Sequence, residues 1–148
     1  MIIEWSPDLA VGDPAIDAQH QELFRRVAAL SAALDAGDGG AVEPLFTFLR
    51  GHVVEHFGAE ERVMREIAFP GYAVHRAAHD RFVRELEEVR RLFEVAGPTA
   101  AVALRTRTWI VDWLVDHITF TDRALARHVA RGPPTPTPSR PLASVLRR

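Results

Sequence analysis

Five histidines and two carboxylates in this chain stand at spacings suited to holding metal ions. His20 stands alone, His56 precedes Glu60 by four residues, His75 precedes His79 by four, and His117 precedes Asp122 by five. Residues four apart on an α-helix share a face, about 6 Å apart along the axis, so the first two pairs can each reach one centre. His117 and Asp122 are turned by roughly 140° on a regular helix. Both face inward only where the helix is locally distorted, and a π-bulge is one way to achieve that. A lone histidine on an apolar stripe is usually a satisfied core residue. Seven such groups spread over four segments are different, because a buried imidazole or carboxylate must be paired, coordinated or neutralised. Too few basic residues share those stripes to pair with them, so the pattern predicts a metal site.

The donor chemistry narrows the metal. The chain has no cysteine, which excludes disulfides, thiolate zinc, iron–sulfur clusters and thiol catalysis and leaves only nitrogen and oxygen ligands. Seven ligands are too many for one four-coordinate zinc, and magnesium and calcium favour oxygen over imidazole. Imidazole with bridging carboxylate suits iron, with manganese or a zinc pair as weaker alternatives. Two six-coordinate ions need twelve positions. Five imidazoles, two bridging carboxylates and one oxo or hydroxo bridge fill eleven and leave one open, the size of site a diatomic ligand needs.

Elements that would position these groups are marked by turn signals at Gly37-Asp38-Gly39-Gly40, Pro70-Gly71, Gly97-Pro98 and Gly132-Pro133-Pro134. Between them run four segments of helical periodicity. The first carries His20, Leu23, Phe24, Val27, Leu30 and Leu34. The second carries Leu45, Phe46, Leu49, Val53, His56, Glu60, Val63, Met64 and Ile67, with Pro44 read as part of its first turn. The third carries His75, His79, Phe82, Leu86, Val89 and Phe93, and the fourth Trp109, Ile110, Trp113, Leu114 and His117. Short connections make neighbours antiparallel. The expected fold is all-α: an up-down-up-down four-helix bundle within 1–131, preceded by an extended arm over roughly 1–18. A tail over 132–148 rich in proline and arginine should stay unfolded, with Leu142, Val145 and Leu146 as the apolar anchor if it docks on a partner.

Composition limits the remaining classes. With 148 residues the chain is the size of one domain, and a net charge of −2 gives no electrostatic case for nucleic acid. The first residues lack a signal-peptide pattern, and no run approaches the ~20 apolar residues of a membrane span, so a cytoplasmic protein is expected.

The ligand series resembles the hemerythrins, particularly the bacterial single-domain type. The resemblance rests on Asp17-Ala18-Gln19-His20-Gln21, on His56-Phe57 with Glu60-Glu61 and Met64, on His75 with His79, and on Trp113-Leu114 with His117-Ile118 and Asp122. It implies two iron ions per chain with a bridging oxo or hydroxo group. His75, His79 and His117 would fill one iron, His20 and His56 would bind the other, and Glu60 and Asp122 would bridge both. It implies reversible binding of O2 at the open position beside His20 and His56, for storage, delivery or sensing, with Trp113, Leu114 and Ile118 lining an apolar gas pocket. The alternatives are a di-iron reductase of peroxide or nitric oxide, and an oxygen or redox signalling module acting through a separate partner. Five neutral imidazoles among seven ligands weigh against oxygen activation, which uses carboxylate-rich sites. His52 departs from the family, many of whose members carry tyrosine there. One turn before His56, it is expected to act outside the ligand set, bland or tuning. His128, past the last ligand among arginines, reads as a surface residue.

Overall fold

In a computed structural model, which describes residues 3–132, the chain forms four long helices and, among the described residues, no strand. α1 spans Pro14–Asp35, α2 Gly39–Glu66 and α3 Tyr72–Ala96. α4 runs on in five consecutive stretches: α-helical Ala100–Arg105, a π-turn at Thr106–Val111, α-helical Asp112–Asp116, a second π-turn at His117–Asp122, and α-helical Arg123–Arg131. Each helix packs on its neighbours in sequence, and α1 closes the ring against α4. This is the expected up-down-up-down bundle. The tail from residue 133 lies outside the described residues.

The starts and stops have local causes. Asp13 accepts hydrogen bonds from the Ala15 and Ile16 amides while Pro14 fills the first helical position, where a missing donor costs nothing. That pair ends the arm at residue 13, five residues earlier than the sequence reading placed it. A short 3-10 turn at Pro7–Leu9 breaks the arm's extended course. The Asp17 side chain accepts from the Val11 amide at 2.8 Å and Arg123 donates to the Asp8 carbonyl at 2.5 Å, which tie the arm to the bundle. Asp38 caps α2 by accepting from the Ala41 amide, drawing two glycines into the helix. Pro44 is thereby the sixth helical residue rather than part of the first turn, and the Gly40 carbonyl loses its i+4 donor. Gly97, at φ 72, ends α3 in a conformation that suits glycine.

Between α2 and α3 the Phe69 amide returns to the Met64 carbonyl at 2.8 Å, with Ala68 at φ 50 in the left-handed position that glycine usually takes. This tight closure returns the chain so that His75 falls in the first turn of α3, beside the end of α2.

The core occupies the length of the bundle beyond the histidines. Leu30, Val42, Phe46, Leu49, Phe82 and Ile110 are fully buried there. Each large side chain so buried contributes about 1.5–3 kcal/mol from its apolar surface. The polar cluster is thus carried on a scaffold with an apolar core of its own.

Candidate metal centre

All four helices deliver donors to one point. His20 comes from α1, His56 and Glu60 from α2, His75 and His79 from α3, and His117 and Asp122 from α4. All seven side chains are buried. The π-turn at His117–Asp122 accounts for the spacing of five. By widening one turn it swings Asp122 onto the face of His117, whose Nε2 lies 3.0 Å from Asp122 Oδ1. The first π-turn of α4 begins at Thr106, whose hydroxyl donates back to the Val102 carbonyl at 2.9 Å. Such back-bonding from Ser or Thr bends helices.

The donors divide into two overlapping groups. One comprises Glu60, His75, His79, His117 and Asp122, and the other His20, His56, Glu60 and Asp122, with the donor atoms of each group within 4.8 Å of one another. The carboxylates are shared oxygen by oxygen. Glu60 Oε1 lies 3.3 Å from His56 Nε2 and 3.9 Å from His20 Nε2, while Oε2 lies 3.2 Å from His79 Nε2 and 3.4 Å from His75 Nε2. Asp122 turns Oδ2 to His20 at 3.1 Å and Oδ1 to His75 at 3.1 Å. Each carboxylate thus faces both groups, as a bridge would.

Cations fit this arrangement. Both oxygens of Glu60 and Asp122 and both ring nitrogens of His20 and His75 are buried without a well-directed hydrogen bond. His79 Nε2 and His117 Nε2 face each other at 3.1 Å. His79 donates its Nδ1 proton to Glu61, so its Nε2 carries a lone pair that needs a proton or a cation in front of it.

Charge is distributed accordingly. Burial and Asp122 push the Glu60 carboxyl up, but His75 and His79 override them and hold it at about 2. Asp122 is held well below the usual carboxylate range, against burial, by His117, His20 and His75. Burial pushes His75 down, yet the Asp122 and Glu60 carboxylates raise it to about 9. Burial lowers His56 to about 4 and lowers His117 as well, so both are neutral at pH 7, the form that ligates a metal.

Around the donors lies a shell that the sequence reading only partly found. Gln19 Oε1 sits 2.6 Å from His56 Nδ1, and Glu61 Oε1 sits 3.1 Å from His79 Nδ1. Phe57 stacks flat on His79 at 3.8 Å, and Trp113 stacks on His117 at 4.2 Å. The half-buried Trp113 ring thus backs the three-histidine group, and Leu114 and Ile118 are fully buried on the same helix. His52 is half-buried with Nε2 3.1 Å from the Gln19 carbonyl, one contact outside His56. His128 is not a free surface residue: it is half-buried, edge-on to Phe69 at 5.1 Å, because the α2–α3 turn folds over the end of α4.

A closed helical bundle with two donor groups sharing two carboxylates defines a cation-binding protein of the four-helix class. The sequence signature of the hemerythrin HHE cation binding domain matches residues 11–129, so the chain belongs to the hemerythrin family. It is 33% identical over 133 residues to a bacteriohemerythrin of Ralstonia nicotianae, covering 89% of this chain and 93% of that one. It is 30% identical over 128 residues to a bacteriohemerythrin of Stenotrophomonas maltophilia, covering 86% and 82%. A crystal structure of a leucine-to-tyrosine variant of hemerythrin superimposes with a TM-score of 0.76 at 26% identity, covering 86% of this chain and 97% of that one. No helix of the described residues is long and apolar enough to cross a membrane.

Proposed function

We propose that this chain holds two iron ions and binds O2 reversibly at one of them, as a binding protein rather than an enzyme. The observation that carries the reading is the inequality of the two donor groups, five donors against four, joined through Glu60 and Asp122. His75, His79 and His117 would hold the iron with the fuller ligand set, and His20 and His56 the iron that keeps a position open. A solvent-derived oxo or hydroxo group would complete the bridge. When bound, ferrous iron supplies the reversible affinity for O2 that side chains lack.

The protein's own part is to hold His56 and His117 unprotonated, to neutralise the cations with two carboxylates, and to exclude water. Trp113, Leu114 and Ile118 supply an apolar wall along α4, and Phe57 shields His79 on the α2 side. Anaerobic reconstitution with ferrous iron, an iron count per chain and visible spectra with and without O2 test the reading. The expected result is two irons and an absorption band that appears with O2 and disappears when it is removed. Rapid catalytic loss of peroxide or nitric oxide instead would establish the enzymatic alternative. Storage, delivery and sensing are separated by the O2 affinity and by whether a partner is retained on the chain.

Metal uptake should also release a proton from His75. In the metal-free protein that ring is protonated below about pH 9, so a cation must displace the proton. Apparent affinity for zinc or cobalt(II) should climb about tenfold per pH unit from neutrality toward pH 9 and then level. An affinity that stays flat across that window contradicts the assignment of His75.

A further inference from the structure

The two donor groups are buttressed by different chemistry. His79 donates its Nδ1 proton to Glu61, a carboxylate with 18% of its side chain exposed. An ionised carboxylate can only accept, so the tautomer is fixed, with the Nε2 lone pair turned to the centre. Its negative charge also draws the Nδ1 proton and leaves the ring a stronger donor. On the other side His56 Nδ1 meets the neutral amide oxygen of Gln19 at 2.6 Å, which fixes the same tautomer without adding charge. His52 extends this side alone, its Nε2 against the Gln19 carbonyl.

We propose, resting on the metal reading above, that Glu61 and Gln19 are positioning residues that make the two cation sites unequal. Glu61 makes the five-donor group the tighter site for a first-row divalent cation and favours the higher oxidation state there. Gln19 leaves the four-donor group the looser site. Neither residue ligates the metal; each acts through the far nitrogen of a ligand on another helix.

Cobalt(II) is the probe, because its spectrum reports occupancy without iron or O2. The metal-free full chain is titrated against a competing chelator, and two binding steps are expected. Glu61→Gln keeps the side chain's size and an acceptor oxygen but removes the charge. It should weaken the first step by about 10–100-fold and leave the second in place. Gln19→Glu adds the charge on the other side and should tighten the second step without moving the first. In iron-loaded protein the reduction potential should rise in Glu61→Gln and fall in Gln19→Glu. Circular dichroism of the metal-free variants establishes that each is folded, and Glu61→Gln decides alone if Gln19→Glu is not. The proposal is overturned if both variants move the same step. It is also overturned if Glu61→Gln matches the parent in both steps and in potential while Glu61→Leu loses metal, since the residues would then only hold the rings in place. A parent chain that takes up two cobalt ions but no iron defeats the iron reading and leaves this one standing. A parent that binds neither overturns both.

Discussion

Glu60→Ala is expected to empty both halves of the centre, the largest functional effect of any single substitution in the chain. Glu60 turns one oxygen to the His20–His56 side and the other to the His75–His79 side. Its removal takes a ligand and a share of the neutralising charge from both cations at once. The loss should exceed the 10–100-fold typical of substitutions outside the ligand shell, so a chain desalted after reconstitution should carry almost no iron. Asp122→Ala should behave in the same way, because its oxygens are divided between His20 and the His75–His117 pair. Elemental analysis of both variants beside Glu88→Ala, an exposed control, is the measurement. Two tightly held irons in either bridge variant would refute the shared-carboxylate arrangement. Loss of just one would mean that the carboxylate serves a single group. The fold should survive, because the core around Leu30, Val42 and Phe46 does not depend on the polar cluster for its packing.

The parts of this architecture that were legible in the sequence are those set by periodicity within one helix. The apolar stripes of α1 and α3 are buried as read, down to Leu34 and Val89. The five-residue interval between His117 and Asp122 pointed to a break in α-geometry, and a π-turn lies there. Ile67 departs from the stripe of α2 because the helix ends at Glu66, leaving Ile67 at the cap, 38% exposed. The first π-turn of α4 had no ligand pair to signal it; its traces are Thr106 and Thr108, whose hydroxyls each compete for the backbone carbonyl four residues earlier. Pairings between helices were the least legible. Gln19 and Glu61 each adjoin a donor in sequence, but they serve histidines on other helices, 37 and 18 residues away. Spacing along a single helix carries no information about such contacts, so only the packed bundle reveals them.

Packing and chemistry meet at Phe82, and Phe82→Ala should cause the largest loss of stability. The ring is fully buried, 4.4 Å from Trp113, 5.7 Å from Phe57 and 6.1 Å from Trp109. Truncation removes its buried apolar surface and leaves a cavity that long helices can only partly close, at a cost of about 3–5 kcal/mol. For a domain of this size that corresponds to a fall in Tm of about 10–20 °C. The measurement belongs on metal-free protein in chelator, because bound cations would add their own stabilisation. The effect should reach the centre as well. Phe57 and Trp113, the two rings that Phe82 supports, are the ones stacked on His79 and His117. Once that backing loosens, the two imidazoles sample more orientations, so cobalt(II) should dissociate faster from the five-donor group than from the four-donor group. Phe82→Leu refills most of the space and should restore most of both properties. A Tm within a few degrees of the parent in Phe82→Ala would mean that the bundle collapses around the gap. Unchanged cobalt dissociation would mean that His79 is held by its hydrogen bond to Glu61, and His117 by its place on the π-turn, and not by the aromatic layer behind them.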